Sequence, residues 1–196
     1  MKKIVLASTS SYRRGLLSRL QLTFVVASSN VDEIAIVGES PRDTALRLAL
    51  AKAQAVASHE PSAIVIGSDQ VAALDGQALG KPGGRQAAID QLMRMQGRRV
   101  LFHTALAAVH SGAPMVQVDC VDTAVVFRSL DRSTIKAYVG HDKPYDVAGA
   151  AKIESLGIAL VESVESLDPT ALIGLPLIRL VTMLTVLGVA VPPPGR

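Results

Sequence analysis

The stretch Ile4–Leu17 constrains the fold of this chain more than any other, because a strand pattern runs directly into a helix pattern. The short, partly β-branched run Ile4–Ala7 predicts a buried strand. Four hydroxyl residues, Ser8–Ser11, follow it and lead into a segment with leucines on one helical face. Free N–H groups and the dipole at such a helix start favour an anion, which Arg13 can reach with its bidentate fork. From these residues alone, an anion site and a serine-capped helix with solvated arginines are equally good interpretations.

Strand and helix patterns alternate along the rest of the chain. This alternation predicts an α/β protein with a mixed sheet and helices on its faces. At 196 residues, the chain is long enough for one domain, residues 1–196, built as a single unit or as two closely packed subdomains. The segments predicted as strands are Leu22–Ala27, Ala63–Gly67, Val71–Leu74, Val100–His110, Val116–Phe127 and Ile158–Glu162. The predicted helices begin at Pro41, Gln86, Asp131 and Gly174.

The composition limits the possible partners. Hydrophobic residues make up 49% of the chain, with three Phe, three Tyr and no Trp, so Ala, Val, Leu and Ile must form the core. The net charge is only +3 and no long Lys/Arg run occurs, which argues against nucleic-acid binding. The apolar start is too short for a signal peptide and Leu177–Val191 is too short for a membrane span, so we expect a cytoplasmic protein with no membrane partner. The single cysteine, Cys120, excludes an intrachain disulfide and is expected to be a structural thiol.

Three charged residues are candidates for a site. Asp69 directly follows the run Ile64–Ser68, so we expect it at the carboxyl end of a buried strand, where open α/β sheets bind ligands. Taken alone, an aspartate there is more often a turn or cap residue. Lys52 and Lys81 are likewise more often solvated lysines, although a flanking glycine and proline restrict the loop of Lys81.

Six ordered motifs extend from the first strand to the last helix. Together they resemble the signature of the Maf family of nucleoside triphosphate pyrophosphatases. The motifs are Leu6-Ala7-Ser8-x-Ser10-x-x-Arg13-x-x-Leu16-Leu17, Val31-Asp32-Glu33, Ala51-Lys52-Ala53, Gly67-Ser68-Asp69-Gln70-Val71, Gly80-Lys81-Pro82 and Gly174-Leu175-Pro176-Leu177. The resemblance implies a mixed, strongly twisted central sheet with Maf/ITPase-like architecture. It also implies an enzyme that hydrolyses a nucleoside triphosphate between its α and β phosphates.

The resemblance assigns roles to individual residues. It implies that Asp69 accepts the proton of the attacking water and that Glu33 binds the metal or orients the water. A carboxylate can do either of these two things. Asp32 is not equivalent to Glu33, because adjacent side chains of an extended segment point in opposite directions. The residues that surround the phosphates in this resemblance are Ser8, Ser10, Arg13, Lys52 and Lys81.

The expected metal is a hard cation held by Glu33 and Asp69. Carboxylate oxygens fit Mg²⁺ or Mn²⁺ better than softer metals. No pair of histidines has the spacing of a zinc site. The four histidines, which we interpret as structural or surface residues, are His59, His103, His110 and His141.

Three positions bear on the substrate, namely Tyr12, Gln70 and Glu154. An aromatic residue, a glutamine and a glutamate here are similar to the branch of the family that acts on 7-methyl-GTP, although that branch typically has Trp in place of Tyr12. N7 methylation makes guanine cationic, so an aromatic face gains a cation–π interaction of about 0.5–2 kcal/mol. A glutamate can also accept hydrogen bonds from N1–H and the exocyclic amine of guanine. Without the resemblance, Tyr12 would be a packing aromatic and Glu154 an exposed carboxylate.

The leading hypothesis is therefore hydrolysis of 7-methyl-GTP to 7-methyl-GMP and pyrophosphate, a housecleaning reaction on a modified nucleotide. A dTTP/UTP pyrophosphatase of the same family is one alternative, against which Tyr12 and Glu154 argue. A nucleotide-binding regulator of cell division or septum formation is another, but a protein that only binds nucleotide needs no general base such as Asp69. The expected partner is a small-molecule nucleoside triphosphate, and a homodimer is left open.

Overall fold

The computed structural model describes residues 2–112 and 115–194 and contains one seven-stranded sheet with the order β2-β1-β3-β5-β6-β7, in which β4 also pairs with β3. The parallel pairs are β1 with β2 and β1 with β3, and the remaining pairs are antiparallel. The mixed α/β fold predicted from the sequence is confirmed. The strands are β1 (Lys3–Leu6), β2 (Val25–Val26), β3 (Ala63–Leu74), β4 (Gln77–Leu79), β5 (Arg99–His110), β6 (Met115–Phe127) and β7 (Val161–Ser166).

Within residues 2–112 and 115–194, five α-helices flank this sheet, each beginning where its sequence supplies a cap or a turn. Ser40 caps the longest helix by accepting a hydrogen bond from the N–H of Asp43 at 3.1 Å, and Pro41 occupies its first turn. No helix among the described residues is both long and apolar enough to cross a membrane. The helices are α1 (Ser11–Ser18), α2 (Pro41–Ala57), α3 (Arg85–Met95), α4 (Arg132–Asp142) and α5 (Leu177–Val186).

The core has three parts because the sheet is covered on both faces and at one end. Helix α2 packs on one face through alanines, and α1 and α5 pack through leucines on the opposite face. Helices α3 and α4 enclose the end of the sheet around Phe102 and Phe127. Contact between α2 and β3 is very close at Gly67, where a Cβ would lie 2.2 Å from the carbonyl oxygen of Ala49. Only glycine therefore allows this approach of helix and strand.

Strand boundaries differ from the sequence prediction at three places. The predicted strand Leu22–Ala27 is paired only at Val25–Val26. The predicted strand Ile158–Glu162 begins as a 3-10 segment, Leu156–Leu160, which precedes β7. Strand β3 does not end at Gly67, because its ladder with β5 runs without interruption from Ile64 to Ala73. Non-local pairing thus outweighs the loop-like composition of Gly67–Gln70.

Along one of its edges, the middle part of β3 has no strand partner among the described residues. On this edge β1 pairs with residues 63–66 and β4 pairs with residues 72–74, so among the described strands no partner covers residues 67–71. The carbonyl oxygen of Ile66 points to this edge, where it accepts a hydrogen bond from the N–H of Ala7 at 2.8 Å. Because backbone groups alternate along a strand, Ser68 and Gln70 direct theirs to the same edge. The open edge forms one side of the candidate site.

Candidate active site

The site begins where β1 ends and α1 starts. Ser10 is the N-cap of α1 and accepts a hydrogen bond from the N–H of Arg13 at 3.4 Å. Ser8 is buried and accepts hydrogen bonds from the N–H of Ser10 at 3.2 Å and from Nη1 of Arg13 at 3.4 Å. The hydroxyl-rich turn predicted from the sequence therefore orders the start of the helix and its first arginine. This geometry suits an anion at the helix N-terminus.

Arg13 is held by contacts from both ends of the chain. Its Nε donates to the carbonyl oxygen of Gly174 at 2.9 Å, and that oxygen also accepts from the buried Ser68 hydroxyl at 2.9 Å. Burial lowers the pKa of Arg13, and the carboxylates of Asp69 and Glu33 oppose this shift. The two carboxylates thus offset part of the electrostatic cost of burying the guanidinium.

A buried lysine joins the two predicted catalytic carboxylates. Nζ of Lys52, in α2, lies 2.6 Å from Oδ1 of Asp69 in β3 and 2.5 Å from Oε1 of Glu33. Lys52 is 6% exposed and Asp69 is 7% exposed, which leaves both charges largely desolvated. Two carboxylates on one ammonium group compensate its charge, as burial of an ion requires.

Glu33 lies on the loop before α2 and is more accessible than its partners. Partial burial favours its neutral form, but the hydrogen bond and charge of Lys52, with Lys81 and Arg13, hold the pKa of Glu33 below its ordinary value. Nζ of the exposed Lys81 lies 3.6 Å from Oε2 of Glu33. The neighbouring Asp32 is turned away and accepts a hydrogen bond from the N–H of Ile34 at 3.0 Å.

A cleft of about 440 Å³ contains most of the predicted site residues. The predicted residues that line it are Ser10, Tyr12, Arg13, Glu33, Lys52, Asp69, Gln70 and Lys81. Ser8 lines an adjoining cavity of about 190 Å³ that shares Glu33 and Lys52 with the cleft. Glu154 does not line the cleft; it is exposed, and partial desolvation raises its pKa. Asp69 lies in mid-strand and not at a strand end as predicted, although it does lie beyond the last residue that pairs with β1.

Two charged residues at the cleft escaped the sequence reasoning. Asp146 lines the cleft, and Nζ of Lys152 lies 3.5 Å from its Oδ1. Burial lowers the pKa of Lys152, but Tyr12 and Asp146 raise it above the ordinary value. Both residues flank the Ala148–Ala151 segment, and none of the sequence motifs described above includes either of them. They place a second charge pair beside Tyr12.

An α/β sheet with a cleft of arginine, lysine and paired carboxylates beyond its parallel strands is typical of hydrolases that act on phosphate compounds. Within that class, this chain belongs to the Maf family, because residues 3–187 match the family described as Maf-like protein. This membership confirms the resemblance that the sequence motifs indicate.

Proteins of known name agree with the family membership. The chain is 52% identical over 190 residues to the 7-methyl-GTP pyrophosphatase of Albidiferax ferrireducens, covering 97% of this chain and 96% of that protein. It is 54% identical over 190 residues to the 7-methyl-GTP pyrophosphatase of Aromatoleum aromaticum, covering 97% and 98%. Among solved structures, a HAM1 protein from Coxiella burnetii matches with a TM-score of 0.55 at 18% identity, covering 94% of this chain and 99% of that one. This last likeness concerns the fold alone.

Proposed function

We propose that this chain hydrolyses 7-methyl-GTP to 7-methyl-GMP and pyrophosphate with the help of a divalent cation. The observation that carries the chemistry is the buried Lys52 between Asp69 and Glu33, with Arg13 nearby, at the bottom of the cleft. Relatives that are 52–54% identical over nearly the whole chain are named 7-methyl-GTP pyrophosphatases, which supports the choice of substrate.

The phosphate chain is proposed to lie between the start of α1 and Lys81. Arg13 presents a guanidinium whose planar fork suits phosphate oxygens, and Ser10 holds the helix start that faces them. Lys81 is exposed and, in the part of the chain that the structure describes, pairs only with Glu33 at 3.6 Å, so it can move onto a phosphate at small cost. Three cationic side chains, including Lys52, then offset the charge of the triphosphate.

Asp69 is proposed to accept the proton of the attacking water. One of its oxygens accepts from Lys52 at 2.6 Å, and among the described residues Oδ2 has no hydrogen-bond donor. Oδ2 is therefore free to face a water molecule, as a general base requires. The Lys52 contact fixes the carboxylate in one orientation.

Glu33 and Asp69 would also hold the divalent cation. Each uses one oxygen to contact Lys52, which leaves Oε2 of Glu33, 3.6 Å from Lys81, and a second lone pair on Oδ2 of Asp69 for a hard cation. When bound, such a cation neutralises charge on the phosphate oxygens. The oxygen donors of this pair would suit Mg²⁺ or Mn²⁺.

The base is proposed to bind against Tyr12 and Gln70. The two N–H groups of the Gln70 amide face a cluster of three acceptors, Thr104 Oγ1 at 2.9 Å from the amide nitrogen and the carbonyl oxygens of Ala171 at 3.0 Å and Leu172 at 3.1 Å. This set fixes the amide orientation, so its carbonyl oxygen is the polar atom left for the cleft. An acceptor in this position suits N1–H and the amine of guanine, and Tyr12 offers an aromatic face to the cationic ring.

A nucleotide panel tests this function. Pyrophosphate release is measured from 7-methyl-GTP, GTP, dTTP, UTP and CTP with Mg²⁺ or Mn²⁺, and we expect the highest kcat/KM for 7-methyl-GTP. Asp69→Asn is expected to lose about 10²-fold or more of this activity. Asp32→Asn is the matched control, because Asp32 is adjacent to Glu33 but turned away, and it should retain activity.

Other outcomes of the panel would refute parts of the proposal. A preference for UTP or dTTP would show that the chain is instead a dTTP/UTP pyrophosphatase of the same family. Nucleotide binding without pyrophosphate release from any substrate would favour the alternative function of a nucleotide-binding regulator of cell division or septum formation. Near-normal turnover by a folded Asp69→Asn variant would remove Asp69 from the role of general base.

A further inference from the structure

We propose that His103, Cys120 and Asp122 form a binding site for a zinc-class transition-metal cation, separate from the cleft. His103 lies in β5, and Cys120 and Asp122 lie in β6. One ligand atom from each residue lies within 4.8 Å of the other two, and together they supply nitrogen, sulfur and oxygen. This donor set suits Zn²⁺, or Co²⁺ in its place, and suits Mg²⁺ poorly.

The sheet register brings the three residues together. His103 pairs directly with Asp122 across the β5–β6 ladder, and Cys120 is two residues away on the same face of β6. All three therefore project toward the side of the sheet that α2 covers, where Cys120 belongs to the alanine-rich core part. No sequence spacing reveals such a cluster, because its members come from two strands.

Two of the three distances between ligand atoms are close to those of a tetrahedral site. Oδ1 of Asp122 lies 2.8 Å from Nδ1 of His103 and 3.7 Å from Sγ of Cys120. Zinc bonds of about 2.0–2.3 Å place neighbouring ligand atoms roughly 3.3–3.6 Å apart in a tetrahedron. The His103–Asp122 pair needs to open by only about half an ångström, and Asp122 can do so because its side chain is 48% exposed. Three protein ligands then leave one position for water.

The surroundings also suit a cation with this ligand set. His103 and Cys120 are each only 9% exposed, so two of the donors are held within the packed structure. The second carboxylate oxygen of Asp122, Oδ2, lies 3.8 Å from Nε of Arg42 at the start of α2. This contact directs Oδ1 toward the other ligands, as an outer partner does in many metal sites. A divalent cation with one thiolate and one carboxylate is neutral, so Arg42 does not repel the complex.

The proposed site is distinct from the catalytic carboxylates. Ala105 in β5 pairs with Asp69 on one side and with Cys120 on the other. Cys120 is therefore two strands away from Asp69, a separation of about 10 Å. Because the two sets of donors share no residue, their metal binding can be measured separately.

Cobalt titration of the metal-stripped, untagged protein tests the proposal. Excess Mg²⁺ is present throughout to compete for the oxygen ligands of the cleft, so that Co²⁺ binds first at the softer site. We expect one equivalent of Co²⁺ and the thiolate-to-cobalt charge-transfer absorption of a cysteine ligand. Cys120→Ser should abolish this absorption, and His103→Gln should weaken Co²⁺ binding by at least about 10-fold.

Two control variants test whether Co²⁺ binds at the proposed site and not elsewhere in the molecule. Asp69→Asn should leave the absorption unchanged, and His59→Gln, which alters an exposed histidine outside the cluster, should bind Co²⁺ like the wild type. Zn²⁺ should raise the melting temperature of the wild type but not of folded Cys120→Ser. A Co²⁺ complex without the absorption, or an absorption that survives in Cys120→Ser, would show that the three residues form only a hydrogen-bonded group.

Discussion

Replacing Gly67 by alanine should damage both stability and activity, and the size of the effect follows from one contact. The added Cβ would lie 2.2 Å from the carbonyl oxygen of Ala49, 2.8 Å from the nitrogen of Ala53 and 3.0 Å from its Cβ. Two of these atoms belong to the backbone of α2, so no side-chain rotation relieves the clash. The helix must move away from β3 by about 1 Å to restore ordinary contacts.

This displacement acts on stability and on the site together. Overpacking typically costs about 1–3 kcal/mol, and a clash with backbone belongs at the upper end of that range. For a chain of this length, about 3 kcal/mol lowers the melting temperature by roughly 6–12 °C. The same movement lengthens the 2.6 Å contact between Lys52 and Asp69 beyond hydrogen-bonding distance. A misplacement of about 1 Å can reduce activity by about 10²-fold.

Thermal unfolding and kcat/KM on 7-methyl-GTP, measured well below the melting temperature of the variant, check this expectation. The matched control is Gly15→Ala in α1, where an added Cβ meets nothing within 4 Å. Alanine at this exposed helical position should stabilise the protein by about 0.5–1 kcal/mol. A Gly67→Ala protein that melts within about 2 °C of the wild type and turns over normally would refute the close packing of α2 on β3.

Three further predictions concern charges. Arg13→Ala and Lys81→Ala should each lower kcat/KM on every triphosphate in the panel, because phosphates are common to all; a change confined to one base would contradict their role. Glu39, whose hydrogen bond from Arg47 lowers its pKa to about 2, should stabilise the fold fully above pH 4.5 and lose this effect as the pH falls toward 2. Urea unfolding should therefore show the difference between wild type and Glu39→Gln shrinking over that range and remaining constant above it. Asp146→Asn, at an acid that lines the cleft, should lower the ratio of kcat/KM for 7-methyl-GTP to that for UTP, whereas Glu154→Gln, outside the cleft, should leave this ratio unchanged; the opposite result would assign base recognition to Glu154 instead.

Local patterns in the sequence were sufficient for the beginning of the site. The prediction of a strand, a hydroxyl-rich turn and a helix over Ile4–Leu17 matches β1, the Ser10 cap and α1. Each of these features depends on residues within a few positions of one another, which is why the pattern shows them. The course of β3 through Asp69 depends instead on its ladder with β5, some 40 residues later in the chain.

Long-range contacts explain what the sequence could not predict. Arg13 is held by the carbonyl oxygen of Gly174, which lies 161 positions away. The His103–Asp122 contact arises from strand register and has no spacing signature, so the histidine was interpreted as structural. The separation of Glu154 from the cleft depends on how the segment after α4 folds back, and no periodicity encodes this path.

The open edge of β3 has a consequence for the behaviour of the protein at high concentration. Unpaired strand edges are templates for strands of other molecules, and this is a common route to aggregation. Here the unpaired groups span only residues 67–71 and lie between β1 and β4 in the same sheet. An incoming strand would meet those two strands before it could form a ladder. The protein can therefore keep main-chain donors and acceptors free for a ligand without offering them to another copy of itself.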